Sequence, residues 1–451
     1  MTSRYSGRLP RPTNVDFAIL AILAVTVVAF GALTVLRGAY LDRPMTDAQV
    51  YFRAGWAIWA NASPYSVPDD NGWLFLYSPI FAIFMVPFAN PPGGDAAPWF
   101  AIPYPLAVAS WYALGFGALA WASHLVARTI ERVILTGTWT GNADRHSLHQ
   151  PWWFLRVAPI AAYLFVIGGG LGRGQVSTLV LLTLVGFAAL LVTGKSFWAG
   201  VALSVGTAIK IYPAMALGIA ILRRDWPCVA GFATGCAVLF LLVPYLVLGT
   251  DAFVAVHADF LGRIFGMTNN TFHAGGQENV SPDMIGFGPF LYKNWAILSA
   301  KQALGPLPDW AKHAHIAVSS AFVAALVIAG HGRFWSIRRP QPGNKPALLL
   351  AVALMTALMA VVTPVSQVHY ITLGIFLHTM FIGLAWRRTG SAATPLWLYG
   401  IGLSLWIAPA LNMEELGRIS WPTVSLYPLV VSIIAGLHAL RQQGVIDQSD
   451  S

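Results

Sequence analysis

The chain has 451 residues, of which 57% are hydrophobic and only 10% are charged, and its mean hydropathy is +0.63. An ordinary soluble domain carries about 25% charged residues, so this composition excludes that class and indicates a polytopic helical membrane protein. The net charge of +9 does not form a basic stripe interleaved with aromatic residues, so we expect membrane lipids and no nucleic acid as partners.

Apolar runs recur along the whole chain and predict an all-α fold with about 12 transmembrane helices. Several of the runs are short or interrupted by proline. The predicted spans are 16–37, 100–128, 154–171, 175–194, 197–210, 213–222, 227–249, 312–332, 347–362, 367–386, 395–411 and 421–440. We expect one membrane domain over 1–451, whose polar end at about 442–451 is disordered.

The distribution of basic residues predicts which side of the membrane each loop faces. With the amino terminus in the cytoplasm, most of the 27 Lys and Arg residues fall in inside segments, which agrees with the positive-inside bias. This assignment of successive loops to alternate sides holds only if the apolar run 74–90 does not cross the membrane. We therefore interpret this run as a helix lying in the outer interface. Both termini are then cytoplasmic, and the large segments 38–99 and 250–311 face outside.

The inside loops are too short to hold a soluble nucleotide-binding domain. The sequence contains neither a GxGxxG nor a GxxxxGK[ST] phosphate-binding pattern. The glycine run 168–175 fits neither spacing, and we interpret it as a tight outer turn between two helices. We therefore expect the chemistry at the outer face of the cell membrane.

An aspartate, Asp47, lies a few residues beyond the first span. One interpretation is a helix start, because Thr46 and Gln49 match a capping box and an acid suits the first turn of a helix. The same helix places Asp47 and Tyr51 on one face, and since it is short and amphipathic we expect it to lie flat on the outer surface. A carboxylate held there against aromatic rings is a candidate general base.

Four further polar side chains are predicted on the same outer face. Arg173 and Gln175 lie in the turn between the third and fourth spans, Lys210 ends a helix before Pro213, and His369 starts the tenth span. Each cation has a structural alternative: a headgroup contact for Arg173, snorkelling for Lys210 and a satisfied core histidine for His369. Ionisable groups at one depth in a membrane protein are costly unless they are used. Together with the aspartate they predict a site that holds a phosphate opposite a base.

A set of short motifs runs in order along most of the chain. It comprises Asp47, Tyr51, Gly55, Pro64 and Tyr65, then "FLYSPIFAIFMVPFA" (75–89), "GQVSTLVLL" (174–182), "AGVALSVGTAIKIYPAMAL" (199–217) and "TPVSQVHY" (363–370). In its order and spacing this set resembles glycosyltransferase family 87, the membrane mannosyltransferases of the GT-C superfamily. Two positions depart from the family pattern: Thr363 replaces a serine, and Tyr370 stands where a second histidine is common.

The resemblance implies an inverting hexosyltransferase with a GT-C-like fold. Such enzymes take a sugar, commonly mannose, from a polyprenyl phosphate and pass it to a hydroxyl of a lipid or glycan acceptor. By the same resemblance, Asp47 would be the catalytic aspartate and His369 the histidine of the late motif, and we expect no metal or other cofactor. The residues that we expect to bind substrate are Lys210, Arg173, Gln175, Tyr51 and Tyr77.

Two alternatives from the sequence remain open. A transporter or flippase of lipid-linked sugars would favour paired, inverted repeats with broken helices at the midplane; Pro213 and Pro364 are such breaks, but the chain has no symmetric halves. A GT-C enzyme that uses another sugar, such as glucose or a pentofuranose, fits the same motifs. Substituting Asp47 distinguishes an enzyme from a carrier, because only the enzyme needs this carboxylate for turnover.

Overall fold

α-Helices and short helical turns build the part of the chain that its computed structural model describes, which is residues 14–41, 43–93, 95–135, 149–269, 280, 284–299, 305–330, 342–364, 366–389 and 429–441. In chain order the helices are α1 (Asn14–Tyr40), α2 (Thr46–Trp59), α3 (Pro79–Phe84), α4 (Tyr104–Ile130), α5 (His149–Ala162), α6 (Leu164–Arg173), α7 (Ser177–Val192), α8 (Ser196–Ile209), α9 (Leu217–Leu222), α10 (Trp226–Cys236), α11 (Val243–Leu248), α12 (Thr250–Asn269), α13 (Phe287–Leu298), α14 (Asp309–Ala329), α15 (Lys345–Val362), α16 (Gly374–Thr389) and α17 (Leu429–Arg441). The all-α prediction is confirmed for these residues.

Among the described residues, six helical stretches are long and apolar enough to cross a membrane, or seven if the bent pair α5–α6 counts as one crossing. They are Asn14–Tyr40, Tyr104–Leu135, Trp226–Leu248, Asp309–Ala329, Lys345–Val362 and Val368–Arg387. The predicted count of about 12 is not reproduced among the described residues. The predicted spans 175–194, 197–210 and 213–222 are helices of at most 17 residues, fewer than the roughly 20 that a bilayer core requires. The predicted span 395–411 lies outside the described residues.

The glycine run 168–175 is helical rather than a turn, contrary to the sequence interpretation. Helix α6 continues to Arg173, and the chain leaves it at Gly174, which has the left-handed conformation with φ +76°. Glycine adopts this conformation without a steric penalty and commonly ends helices in this way. The turn at 174–176 therefore begins directly after the arginine.

Helices α8 and α10 pack against each other backbone to backbone. A Cβ atom on Gly200 would overlap the carbonyl oxygen of Cys228, and one on Gly231 would overlap that of Phe197. Small residues allow such close approach between helices, and membrane interiors use them because lipid gives no hydrophobic drive for association. The close packing of α8 on α10 positions the carboxyl end of α8, and Lys210 is the next residue.

Helix α2 is buried on nearly every side, so the prediction that it lies flat on the outer surface is wrong. Its polar side chains bond to the loop that follows: Arg53 donates to two backbone carbonyls and pairs with Asp70 at 2.6 Å. The predicted capping box is also wrong, because the cap position is Met45 and no side chain caps the helix. Gln49, the second member of that box, donates its amide to Asp70 instead.

The apolar run 74–90 forms the six-residue helix α3 and a short 3-10 turn, Val86–Phe88. Neither is long enough to cross a bilayer, in agreement with the interpretation that this run does not span. The end of α3 packs on α2 so closely that a Cβ atom on Gly55 would overlap the backbone of Met85.

The chain just before His369 is fixed by a neighbouring backbone segment. Ile285 donates its amide to the carbonyl of Ser366 at 2.8 Å. His315 joins the two sides, since its Nε2 lies 3.0 Å from the Val362 carbonyl and its Nδ1 accepts from the amide of Gly288 at 3.1 Å. A carbonyl only accepts hydrogen bonds, so Nε2 of His315 carries the proton.

We expect Gly231→Ala to destabilise the protein, because its Cβ atom would force α8 and α10 apart. Overpacking of this kind typically costs about 1–3 kcal/mol. A matched control is Gly186→Ala in α7, where an added Cβ atom meets no atom within 4 Å among the described residues. Thermal unfolding in detergent should show a lower Tm for the first variant and an unchanged or higher Tm for the second. Equal Tm values would contradict the close packing.

Candidate active site

Asp47 lies in the first turn of α2 and pairs with the arginine that ends α6. Nε of Arg173 donates to Oδ2 of Asp47 at 2.8 Å, and the side chains are 13% (Asp47) and 30% (Arg173) exposed. Burial raises the pKa of the Asp47 carboxyl, and the charges of Arg173 and Lys210 oppose that rise. A carboxylate that is more basic than usual, yet held beside cations, is suited to accept a proton.

The turn at Gly174 brings these two residues together. A Cβ atom at this position would overlap the Cβ of Ala48, the neighbour of Asp47, so α2 and the end of α6 touch at the glycine. The carbonyl of Gly174 accepts a hydrogen bond from Nε1 of Trp111 at 2.7 Å. The ion pair is therefore set by backbone contact as well as by charge.

Lys210 lies in a break between helices, as the proline after it predicts. Helix α8 ends at Ile209, Lys210 is extended (φ −140°, ψ 141°), and a 3-10 turn with Pro213 follows. Its ammonium is buried, 3.3 Å from Oε1 of Gln175 and 3.3 Å from Nε2 of His369. A charged lysine in this break bonds to side chains rather than snorkelling to solvent.

The contact with Lys210 bears on which nitrogen of His369 carries the proton. When Lys210 is charged, its ammonium only donates, so Nε2 of His369 accepts and the proton sits on Nδ1. Nδ1 is buried and has no hydrogen-bond partner among the described residues. His369 is therefore not a core histidine with both nitrogens satisfied. It presents an unused donor.

Two tyrosines complete the predicted set. The hydroxyls of Tyr51 and Tyr77 are 2.8 Å apart, and the ring of Tyr77 lies 5.5 Å from the Lys210 ammonium. Burial raises the pKa of both phenols well above the ordinary range, with the Asp47 charge adding to the rise. Both are thus neutral groups that donate or accept hydrogen bonds.

All seven predicted site residues lie in one connected cluster. Contacts link Asp47 to Arg173, Lys210 to both Gln175 and His369, and Tyr51 through Tyr77 to Lys210. Electrostatic interaction between Asp47 and Lys210 joins the two halves. Residues from five separate parts of the sequence converge here.

Three aromatic residues of the cluster were not among the predicted site residues. The ring of Tyr370 lies 4.4 Å from the Lys210 ammonium and packs on Tyr212 with ring centroids 4.8 Å apart. Trp73 lies beneath Arg173, 5.8 Å from its guanidinium. The sequence signal for Tyr212 and Tyr370 was adjacency, since each is one or two residues from a predicted cation.

The sequence matches the model of glycosyltransferase family 87 over residues 75–364, which is more than half of the chain. The chain belongs to glycosyltransferase family 87. No curated protein matches the sequence. This family 87 protein is therefore a transferase of sugars with several apolar helices of membrane-spanning length. The matched segment contains Tyr77, Arg173, Gln175 and Lys210, whereas Asp47, Tyr51 and His369 lie outside it.

We expect Gly174→Ala to lower sugar transfer by this family 87 protein by about 10-fold or more. The added methyl would push α2 from α6 and strain a left-handed residue, and a misplacement of about 1 Å can cost roughly 100-fold. Gly172→Ala in α6 is the control, because its Cβ atom would meet no described atom within 4 Å. Transfer of radiolabelled sugar is compared in membranes with equal amounts of each variant. Wild-type transfer by Gly174→Ala would show that this contact does not set the site.

Proposed function

We propose that this protein is an inverting glycosyltransferase that moves a hexose, mannose in the first instance, from a polyprenyl-phosphate donor to a hydroxyl of a lipid or glycan acceptor. The observation that carries the proposal is a buried carboxylate, Asp47, placed beside two buried or half-buried cations, Arg173 and Lys210. The base and the phosphate-binding groups that such a transfer needs lie in one cluster.

The charge of the cluster favours an anionic substrate. Among the described residues it places two cations, Lys210 and Arg173, beside one carboxylate, Asp47. Lysine and arginine are the side chains that bind phosphate oxygens by charge-assisted hydrogen bonds. A neutral sugar alone would not use these charges.

In the proposed reaction Asp47 accepts the proton of the acceptor hydroxyl as that oxygen attacks the anomeric carbon. A bond forms from the acceptor oxygen to this carbon while the bond from the carbon to the phosphate oxygen breaks on the opposite face, which inverts the configuration. The proton ends on Asp47. The bonding electrons leave with the polyprenyl phosphate.

Charge that develops on the departing phosphate is stabilised by Lys210, Arg173 and the Nδ1 proton of His369. Charge-assisted hydrogen bonds are roughly twice as strong as neutral ones, and donors that are already oriented stabilise a transition state without reorganisation. Gln175 holds the lysine ammonium in place. Tyr51 and Tyr77 offer hydroxyls and ring faces to the sugar. General base catalysis contributes only about 10²–10⁴-fold, so these groups supply much of the remainder.

We place the site at the outer face of the cell membrane in a single domain over 1–451, with both termini in the cytoplasm. The support is the distribution of basic residues, which favours outer positions for the segments 38–99 and 250–311. Large exposed apolar side chains on α1 and α11 are suited to contact with lipid acyl chains. The donor would then reach the site from the outer leaflet.

We expect Asp47→Asn to lose about 10²–10⁴-fold in turnover while it still binds donor. The amide keeps the shape of the side chain but does not accept a proton. The measurement uses purified protein in nanodiscs, radiolabelled polyprenyl-phosphate mannose and a lipid extract as acceptor.

Asp70→Asn is the matched control for that experiment, because Asp70 is also an aspartate of the first outer segment but pairs with Arg53 outside the cluster. Its transfer rate should stay close to that of wild type. Equal transfer by Asp47→Asn and wild type would remove Asp47 from the mechanism. If wild type and Asp47→Asn both move the donor across the bilayer unchanged, the protein is a carrier. If the wild type transfers a different sugar, only the donor assignment is wrong.

Activity should fall at low pH with a midpoint above the ordinary aspartate value of 3.8. Only the ionised carboxylate accepts a proton, and the pKa of Asp47 is raised, so protonation inactivates the enzyme at a higher pH than for an exposed aspartate. The acid limb of kcat/KM reports this group in the free enzyme.

Removal of the Arg173 charge should move the acid limb of this pH profile to higher pH. Arg173→Leu takes away a charge that lowers the Asp47 pKa, so the midpoint should shift to higher pH, whereas Arg173→Lys retains a charge and should shift it less. Thermal unfolding at each pH separates titration from denaturation. A midpoint that is the same in all three proteins would show that another group controls the limb.

A further inference from the structure

Tyr212 is a buried residue of the cluster whose hydroxyl has no hydrogen-bond partner among the described residues. Several other tyrosines in the described part of the chain use theirs. The pairs are Tyr51 with Tyr77, Tyr65 with the carbonyl of Tyr77, Tyr112 with the carbonyl of Val27, Tyr163 with His378, and Tyr292 with the amide of Gly305. Tyr212 and its neighbour Tyr370 are buried without such a pair, and of these two only the Tyr212 hydroxyl is closed to solvent.

An unused hydroxyl in the interior is costly. Leaving a buried donor without an acceptor costs roughly 1–3 kcal/mol, and a phenylalanine would fill the same space without that cost. Buried tyrosines usually find a partner for their hydroxyl. A tyrosine at this position is therefore better explained by a bond that it makes to a ligand than by packing.

The surroundings of Tyr212 are those of the proposed phosphate site. Its ring packs on that of Tyr370, which also lies 4.9 Å from the His369 ring and 4.4 Å from the Lys210 ammonium. One ring, Tyr370, therefore contacts the ammonium and the two side chains that carry unused donors.

We propose that Tyr212 is a further substrate-binding residue, which donates its phenolic hydroxyl to a phosphate oxygen of the polyprenyl-phosphate donor beside Lys210 and Nδ1 of His369. This role rests on the proposed function. It gives the phosphate two neutral donors and one cation on the same side of the cluster. No covalent step is involved.

Both unused donors are closed to solvent, so a phosphate oxygen reaches them only when neighbouring side chains move. Lys210, which contacts His369 and the ring of Tyr370, is one such neighbour. Its two hydrogen bonds are long, at 3.3 Å each, and its flexible stem allows the ammonium to move toward an incoming anion while it keeps its place against the aromatic rings.

The test is Tyr212→Phe, which removes one oxygen atom and keeps the ring. Purified full-length protein in nanodiscs is titrated with two probes of equal chain length, a polyprenyl monophosphate and the corresponding uncharged polyprenol. A hydrogen bond to a charged group is worth about 10-fold or more in affinity. We expect the phosphate probe to bind at least about 10-fold more weakly to Tyr212→Phe, and the polyprenol to bind as it does to wild type.

Thermal unfolding gives a second readout, in which Tyr212→Phe should be no less stable than wild type. Because the lost hydroxyl had no partner, Tyr212→Phe should have a Tm equal to or above that of wild type. The matched control is Tyr112→Phe, which removes a hydroxyl that bonds to the Val27 carbonyl at 2.9 Å and to no residue of the cluster. It should lower the Tm and leave binding of both probes unchanged.

Three outcomes would overturn the inference. Phosphate binding by Tyr212→Phe that matches wild type would remove the hydroxyl from the site. A lower Tm for this variant would show that the hydroxyl serves the fold instead. If wild-type protein itself does not prefer the phosphate to the polyprenol, the donor class of the proposed function fails, and the role of Tyr212 falls with it.

Discussion

The ion pair between Asp47 and Arg173 is the interaction on which the site depends. It joins the first segment after α1 to the end of α6, which lies more than a hundred residues further along the chain. Because Asp47 is mostly buried, loss of the arginine would leave a carboxylate without its main counterion, a state that is strongly unfavourable. The glycine after Arg173 allows α2 to approach closely enough for the pair to form. The charge and the turn that makes it reachable are therefore neighbours in the sequence.

Helix ends, rather than helix middles, carry the cluster. Asp47 begins α2, Arg173 ends α6, Lys210 is extended after α8, and His369 lies in a 3-10 turn before α16. Within a membrane-embedded fold, irregular backbone is tolerated where it is buried in protein or lines a cavity. Such breaks let side chains from several helices point into one volume. Side chains in the middle of uninterrupted helices would lie on separate helix faces instead. The hydrogen bond from the Ile285 amide to the Ser366 carbonyl fixes the last of these breaks, the one at His369.

Sequence reasoning located the cluster better than it described the helices around it. Asp47, Arg173, Lys210 and His369 were found because charges are scarce in this chain, so each one is conspicuous, and because topology put them on one side. The surface position of α2 was wrong because an amphipathic pattern shows that a helix has a polar face and not what that face contacts; here the polar groups contact the following loop. The span count is not confirmed among the described residues, because apolar composition does not reveal where short helices stop. Tyr212 is marked in the sequence only by its position two residues after Lys210, and its hydroxyl without a partner is visible only in the structure.

Arg173 and Lys210 also couple the two ends of the proposed reaction. Both cations lower the pKa of Asp47 while burial raises it, so the proton affinity of the base depends on how fully those charges are available to it. As the bond to the phosphate breaks, negative charge grows on the leaving group and draws on the same two cations. Asp47 then becomes more basic at the moment when the acceptor hydroxyl gives up its proton. A base with fixed, ordinary basicity would lack this response. The position of the carboxylate beside the cations proposed to bind phosphate would supply it.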